Sequence, residues 1–435
     1  MSIGRNYTVV PTITLPIMIA LVSGCGIAED STVEQGEDID TTLINNLPAP
    51  TIIRVDPPAF DSEQRRRHEE VERYLADRYR EHKWRIVETT QTYMGDVVDW
   101  LDPTSVPGSQ IEPPPPLELR PTSATSLALT EFDMYPELRG PQGTVPLLRP
   151  NFARYVQGET EANSVEDFIR RHHVPGMPSG QNRLYAGLGK VIANTGAMSS
   201  VNAFGGTIES GTLSLLEMAV VCRGLNPSTT HEQIGIAASR DKNIYFDSLV
   251  RLQVEFMTAG DQVTGNQIGG WHPFFSGFVA SASSPYPIGT VLSVSIIGGS
   301  QYEHPFTIQL SGGNWWVGYN GNWLGYYPGS LFDLINVSAC EALWYGEVYD
   351  PTPTNWTWTD MGSGLFASTG YSNAAYFRNP SYIATSGVVY WADGAANLSP
   401  NAAACYTRSN MLSGAAPFTR YFYFGGPGGE ALGCD

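Results

Sequence analysis

Residues 343–349 read Leu-Trp-Tyr-Gly-Glu-Val-Tyr and place one carboxylate among aromatic side chains. In a β-strand, successive side chains point to opposite faces, so Tyr345, Glu347 and Tyr349 are expected to share one face. Gly346 leaves room beside the carboxylate. Such a carboxylate can act as a general acid or base, with Tyr345 and Tyr349 contacting a bound substrate. The alternative is a strand whose Glu347 points to solvent, as most charged side chains do.

The composition favours a β-rich, acidic protein. The chain has 435 residues and a formal net charge of −18, with abundant Gly, Trp, Tyr and Phe. Its length suggests two or three domains, and the last two-thirds could form one large β domain. Phosphate contacts require clustered Lys and Arg, so the charge argues against nucleic-acid binding. It suits a protein that works in acid, where carboxylates become protonated.

The N-terminus predicts export. Residues 1–25 contain an apolar run that ends in Ser23-Gly24-Cys25, which resembles a bacterial lipobox with Cys25 as the lipidated residue. Ordinary signal cleavage after Ala28 is the alternative. The protein is therefore expected in the bacterial cell envelope as a lipoprotein, with possible membrane attachment through Cys25, or as a secreted protein. Residues 26–58 are polar and acidic, and they are predicted to form a disordered tether.

Four further cysteines lie in a chain that is expected to meet an oxidising compartment. They are Cys222, Cys340, Cys405 and Cys434. Four cysteines allow three pairings, and none has the CxxC spacing of a zinc site. Disulfides are therefore expected, and neither a metal site nor a cofactor is predicted.

The elements that must position these residues change in type along the chain. An amphipathic helix is predicted over residues 62–85, with its cap at Asp61 or Ser62, and a shorter helix from Ser164. Residues 113–116 are four prolines, which favour a polyproline II spacer. From Arg183 onward, short strands alternate with Gly-rich turns, including a hairpin turn at Asn320-Gly321. This pattern predicts an antiparallel sandwich or barrel.

Several segments occur in an order that is shared with a known family. They are Gly143-Thr144-Val145-Pro146, residues 184–204, Gly325-Tyr326-Tyr327-Pro328 with Leu331-Phe332, Met361-Gly362-Ser363-Gly364, Gly370-Tyr371, Ala374-Ala375-Tyr376-Phe377-Arg378-Asn379, and Phe424-Gly425-Gly426-Pro427-Gly428 before Cys434. Together they resemble the neprosin family of proline-directed endopeptidases of the glutamic type. The resemblance implies an all-β fold, with an antiparallel β-sandwich catalytic domain over residues 181–435. A small mixed α/β propeptide-like segment is expected over residues 59–180, where residues 95–99 are similar to the family's propeptide signature.

The resemblance also implies a catalytic pair of glutamates. Glu347 matches the glutamate of the family's WGGEV stretch, with Tyr345 in place of a Gly. Glu232, in His231-Glu232-Gln233-Ile234-Gly235, is matched to the glutamate of the family's IEAGW stretch. This match displaces the Gly by one position and places Ile236 where the family has Trp. Glu217 lies in an apolar strand where the family tends to have Gln. It is either a third active-site carboxylate or an edge residue, and the second is favoured.

Two carboxylates can hydrolyse a peptide if one is ionised and activates water while the other is protonated and assists the scissile amide. Neighbouring carboxylates cannot both ionise easily, so their pKa values separate. Cleavage is therefore expected to be greatest at acid pH, and the resemblance implies that it follows proline. The implied partners are a proline-rich peptide or protein substrate and the chain's own propeptide, which is expected to cover the glutamates.

The same resemblance implies a C-terminal bridge between Cys405 and Cys434. Cys222 and Cys340 do not match the family's closely spaced pair, and they are assigned to each other as the remaining two cysteines.

Two other functions remain open from the sequence. The first is a glycan-binding or glycan-cleaving sandwich, since an aromatic platform could stack on sugars and two glutamates also serve glycoside hydrolysis. The platform residues would be Trp315, Trp316, Tyr319, Trp323, Tyr326 and Tyr327, although packing within the core and hairpin is the commoner role for such residues. The second is a non-catalytic surface adhesin, which the changes at Tyr345 and Ile236 make plausible.

Overall fold

The computed structural model describes residues 60–115, 129–172, 183–224, 231–242, 244–258, 270–271, 277–350, 357–398 and 404–429. The α-helices in these ranges are α1 (Ser62–Glu81), α2 (Glu131–Met134), α3 (Ala153–Gln157) and α4 (Val165–His172). Short 3-10 helices are Pro103–Ser105, Pro136–Leu138, Gly329–Leu331 and Ala367–Thr369. The predicted signal over 1–25 with Cys25, the tether over 26–58 and Cys434 lie outside the described residues. None of the described helices has the length and apolarity of a membrane span.

Helix α1 begins where the sequence predicts. The Asp61 carboxylate accepts hydrogen bonds from the backbone N–H groups of Glu63 and Gln64, and the Gln64 side chain accepts one from the Asp61 N–H. These reciprocal bonds form a capping box. The helix ends at Glu81, four residues earlier than predicted, and Lys83 then takes a left-handed φ of 55°.

The N-terminal segment is mixed α/β, as predicted. Helices α1, α3 and α4 pack around a small apolar core formed by Val71, Phe152, Tyr155, Val156, Ala162, Val165 and Phe168. Strands β1 (Ile86–Gln91), β2 (Val97–Leu101) and β3 (Val145–Leu148) form an antiparallel sheet in that order. The buried Asp99 joins the helices to the sheet, because it accepts hydrogen bonds from Tyr79 of α1 and from Arg149 at 2.6 and 2.7 Å.

The rest of the described chain is dominated by one large, curled antiparallel sheet. Its strands are β4 (Arg183–Asn202), β5 (Leu213–Arg223), β6 (His231–Asp241), β7 (Arg251–Met257), β8 (Gly270–Trp271), β9 (Val279–Ala280), β10 (Glu303–Ser311), β11 (Asn314–Tyr319), β12 (Asn322–Pro328), β13 (Ala339–Tyr349), β14 (Ala375–Ala384), β15 (Val389–Trp391), β16 (Ala396–Leu398), β17 (Thr407–Arg408), β18 (Leu412–Ser413) and β19 (Arg420–Gly425). The main path runs β8-β7-β6-β5-β13-β4-β10-β11-β12-β9.

Strand β4 allows the sheet to fold over on itself. Its first half pairs with β13, and its second half pairs with β10 on one edge and β14 on the other. The inner face of β5 and β13 therefore packs against the far layer: Met218 contacts Ser199, and a Cβ at Gly346 would overlap Met361 and Phe424. This two-layered packing confirms the predicted antiparallel β-sandwich.

Two local predictions are also confirmed. Asn320 and Gly321 have φ angles of 49° and 75° and join β11 to β12 as a tight hairpin. Cys222 and Cys340 form a disulfide with a Cα–Cα distance of 4.7 Å. Cys405 is also disulfide-bonded, and its predicted partner is not among the described residues.

Candidate active site

Glu347 lies in the middle of the sheet, on β13 between β4 and β5. It is 3% exposed, and it shares a face with Tyr345, as strand alternation predicts. The Glu347 carboxylate forms an ion pair with the guanidinium of Arg183, the first residue of β4. Arg183 also lies over the ring of the half-buried Tyr349, 5.5 Å from its centroid. Glu347 is therefore a buried, paired carboxylate and does not point to solvent.

Glu217 lies next to this position and is not an edge residue. Its strand, β5, runs between β13 and β6, and Glu217 pairs directly with Tyr345. Glu347 pairs with Leu215, so Glu217 and Glu347 are diagonal neighbours on one face. Glu217 is 1% exposed. The expectation that favoured an edge residue was wrong, because long-range strand pairing places this residue in the centre of the sheet.

Two residues that the sequence analysis did not assign to the site complete the group. The Nε2 amide of Gln233 on β6 donates to Glu217 Oε1 at 3.0 Å and to Glu255 Oε1 on β7 at 2.7 Å. It also lies 3.3 Å from the Tyr345 hydroxyl oxygen. We call Glu217, Glu255, Glu347, Gln233 and Tyr345 the glutamate cluster. The side chains come from four adjacent strands and meet on one face of the sheet.

Gly235 makes room for this convergence. It pairs with Glu255 across β6 and β7 and lies two residues after Gln233. A Cβ at position 235 would overlap the Glu217 carboxylate and lie 3.0 Å from Glu255 Cγ. The absence of a side chain at Gly235 therefore allows the two carboxyl groups to approach each other.

The surroundings of Glu217 favour its protonated form. Burial raises the pKa of Glu217 well above its ordinary value, and the nearby Glu255 and Glu347 raise it further. Burial and the same three carboxyl groups also raise the pKa of Tyr345, so its hydroxyl keeps its proton. The site thus combines a neutral acid with the ion-paired carboxylate of Glu347, which are the two forms that acid–base hydrolysis needs.

The raised pKa of Glu217 predicts a pH dependence of folding stability. Above the ordinary value of 4.5 the unfolded chain releases this proton while the folded chain keeps it. The stabilisation is fully present below that value and is lost as the pH rises through the folded-state pKa. The expected loss is at most about 1.4 kcal/mol per pH unit. Urea unfolding of wild type and Glu217→Gln between about pH 4 and pH 8 measures it. Parallel stability curves for the two proteins would contradict a raised pKa at Glu217.

Glu232 requires a correction, because the structure does not bring it to Glu347. It pairs with Cys222, which lies on the face of β5 opposite to Glu217. There its carboxylate accepts hydrogen bonds from the backbone N–H groups of Asp333, Leu334 and Ile335 at 2.9, 2.7 and 3.1 Å. Glu232 is therefore an anchor for the loop after β12.

Glu232→Gln is expected to lower the free energy of unfolding by about 2–4 kcal/mol, because an amide cannot accept the bonds that a carboxylate accepts from several N–H groups. The rate of any catalysis per folded molecule should be unchanged. Urea unfolding measures the loss. Glu341→Gln is the matched control, since Glu341 forms only a partly exposed pair with Arg223 and should change stability by less than about 1 kcal/mol. Equal stability of the two variants would rule out the anchoring role.

The sequence contains a signal for both missed residues. Gln233 lies two residues before Gly235, which is the spacing of Glu and Gly in the family's IEAGW stretch, so no displacement of the Gly is needed. Gln253 and Glu255 alternate with apolar residues along β7, as expected for a strand with one polar face. Gln253 is fully buried on that face, and neither its amide nitrogen nor its amide oxygen has a hydrogen-bond partner among the described residues.

The aromatic residues of β11 and β12 do not form an open sugar-stacking platform. Trp315, Tyr319 and Tyr327 belong to the main core. Trp316, Trp323 and Tyr326 lie on the other face of the hairpin, and their exposures are only 2%, 6% and 4%. This arrangement agrees with the packing role that was the alternative to glycan binding.

Comparison with known proteins identifies the family. A sequence model described as Neprosin matches residues 210–427, which is half of the chain. The chain belongs to the neprosin family. Membership supports a peptidase, that is, a hydrolase of peptide bonds. The matched range contains β5, β6, β7 and β13, and therefore every residue of the glutamate cluster.

Two solved structures are also similar to this neprosin-family chain. Both are of scytalido-glutamic peptidase, one with a transition-state analogue inhibitor and one with a peptide-based transition-state analogue. The sequence identities are 11% and 10%, and the TM-scores are 0.29 and 0.27. Each match covers 56% of this chain and 98% of the other.

Proposed function

We propose that this protein is a glutamic endopeptidase that cleaves after proline at acid pH and uses the glutamate cluster. The observation that carries the proposal is the convergence of Glu217, Glu255, Glu347 and Gln233 on one sheet face, within the range that matches a peptidase family. Buried carboxylates that share a site and differ in protonation are characteristic of acid–base catalysis.

Glu347 is the proposed general base. Its ion pair with Arg183 is made by the ionised carboxylate, which can accept a proton from a water molecule. The water oxygen then bonds to the scissile carbonyl carbon, and the carbonyl oxygen becomes an oxyanion. Gln233 supports this step as a neutral donor, since its Nε2 already donates within the cluster and such donors stabilise developing oxyanions.

Glu217 is the proposed general acid. Its raised pKa keeps it protonated beside the ion-paired Glu347. When the tetrahedral intermediate collapses, the carbon–nitrogen bond breaks and Glu217 gives its proton to the leaving amine. The proton held by Glu347 then returns to Glu217 through solvent, which restores the starting state. Cleavage should rise with pH as the base ionises and fall as Glu217 loses its proton, so the profile is bell-shaped.

Aromatic rings beside the carboxylates support the preference for proline. Tyr185 and Tyr345 are in edge-to-face contact with centroids 5.7 Å apart, and Tyr349 lies two residues beyond Glu347 on the same face. A pyrrolidine ring is apolar and flat enough to pack against such rings. Tyr345 and Tyr349 thus remain the proposed substrate contacts.

The N-terminal segment is proposed to act as a propeptide. The cluster is buried in the full chain, so a substrate can reach it only after a rearrangement. Asp96, in the turn between β1 and β2, pairs with Arg251 at 2.7 and 3.2 Å. Arg251 lies on the same face of β7 as Glu255, four residues before it. The N-terminal segment therefore reaches the edge of the face that carries the cluster.

We also propose that the protein is exported and lipid-anchored at Cys25, and that its substrates are proline-rich proteins outside the cell. The test begins with acid incubation of the full chain and measurement of its intact mass. Cleavage of a proline-containing peptide library is then measured from about pH 2 to pH 8. The expected result is loss of the N-terminal segment, then post-proline cleavage with an acid optimum. Full activity without a change in mass would overturn the propeptide role. No cleavage by the processed chain would overturn the peptidase.

A further inference from the structure

One surface outside the glutamate cluster combines aromatic rings with a bound proline segment. Trp316, Trp323 and Tyr326 form an aromatic patch on the outer face of the β11–β12 hairpin, separate from the main core. The Trp316 ring centroid lies 4.8 Å from that of Tyr326 and 6.1 Å from that of Trp323. Val279 of β9 packs against the patch.

The chain's own N-terminal segment lies on this patch. The indole Nε1 of Trp323 donates a hydrogen bond to the carbonyl oxygen of Pro114 at 2.7 Å. The Tyr326 hydroxyl donates to the Gly108 carbonyl at 3.3 Å. At Gly108 the backbone is so close that a Cβ would overlap the Tyr326 hydroxyl and lie 3.3 Å from Val279. The contact thus extends over several residues of the segment.

The chemistry of these contacts is that of polyproline recognition. Pro113, Pro114 and Pro115 have no backbone N–H, so their carbonyl groups are the only main-chain groups through which they can be bound. A run of prolines is already held in the extended polyproline II form and loses little conformational entropy on binding. Aromatic grooves exploit this preformed shape, and here the indole N–H of Trp323 binds a prolyl carbonyl.

We propose that the aromatic patch is an exosite for polyproline II segments of protein substrates, and that residues 113–115 occupy it in the full chain. Release of the N-terminal segment uncovers three aromatic side chains and leaves the Trp323 indole N–H without the Pro114 carbonyl. A proline-rich substrate offers the patch the same groups as this segment, namely pyrrolidine rings and backbone carbonyls. The inference takes its partner class from the proposed function, but binding at the patch does not depend on cleavage.

The test uses the full chain carrying Glu217→Gln, which is expected to remove cleavage without lowering stability at neutral pH, so that neither cleavage nor unfolding affects the result. In one version Pro113, Pro114, Pro115 and Pro116 are replaced by Gly and Ser, which removes the internal occupant. A proline-rich peptide and a Gly-Ser peptide of equal length are titrated into both versions and followed by calorimetry. We expect the proline-rich peptide to bind the replaced version at least about tenfold more tightly, because a tethered occupant competes at an effective concentration near the millimolar range.

Two further substitutions in the replaced version locate the binding. Trp323→Phe keeps a ring but removes the indole N–H, and it should weaken binding about fivefold, the usual contribution of one hydrogen bond. Trp358→Phe is the control, since Trp358 is 50% exposed and does not belong to the patch. Equal binding of the two peptides, or equal weakening by the two tryptophan substitutions, would overturn the exosite. If this chain binds the proline-rich peptide as expected but the acid-processed wild type never cleaves it, only the peptidase would be refuted.

Discussion

Glu347→Gln is expected to lower kcat for peptide cleavage by about 10²–10⁴-fold, the usual contribution of a general base. The amide keeps the size of the side chain but cannot accept the proton of the attacking water. The measurement is steady-state cleavage of one proline-containing peptide by the acid-processed chain. Glu341→Gln, on the same strand and paired with Arg223, is the control and should keep wild-type activity.

A loss of folding must be separated from this loss of chemistry. Glu347→Gln removes the carboxylate that Arg183 pairs with in a buried site, which is expected to cost roughly 3–5 kcal/mol of stability. Arg183→Met together with Glu347→Gln removes both charges and should recover most of that stability. The double variant should stay inactive. If its activity returned with its stability, Glu347 would be a structural residue and not the base.

Glu217→Gln is expected to reduce kcat by a similar factor of about 10²–10⁴ while leaving stability at neutral pH unchanged or higher. An amide resembles the neutral acid that Glu217 is in the folded protein, but it has no proton to give to the leaving amine. The alkaline limb of the pH–rate profile should also disappear, because that limb reports the ionisation of Glu217.

The contrast between the two substitutions is itself informative. Glu347→Gln should reduce both activity and stability, whereas Glu217→Gln should reduce activity alone. The assay is the pH–rate profile of the folded, acid-processed variants, with urea unfolding in parallel. Activity of Glu217→Gln within about threefold of wild type would move the role of general acid to Glu255, which shares the Gln233 hydrogen bond.

Local signals were enough to predict much of the fold. The N-cap at Asp61 and the hairpin at Asn320-Gly321 are found where the sequence predicts them. Both depend on interactions within a few residues, which sequence patterns record directly. Strand alternation likewise placed Tyr345 and Glu347 on one face, since that rule needs no knowledge of neighbouring strands.

The site was predicted less completely, for two physical reasons. The side-chain period of a strand is two, so the one-residue displacement that selected Glu232 in place of Gln233 moved the prediction to the opposite face of the sheet. Glu217 and Glu255 are charged residues in apolar strands, and such residues are usually exposed. Glu217 is buried because β5 pairs with β13, which is distant in sequence. Glu255 is buried on a strand that pairs with β6. Only the assembled sheet shows that three carboxyl groups meet above Gly235 and its neighbours.

The most direct test of the account compares the two faces of the same sheet. It measures kcat/KM of acid-processed Glu347→Gln and Glu232→Gln on one proline-containing peptide, with each value divided by the folded fraction. We expect a loss of at least about 10²-fold for Glu347→Gln and a value within about threefold of wild type for Glu232→Gln. Equal losses, or a loss confined to Glu232→Gln, would show that catalysis does not depend on the glutamate cluster.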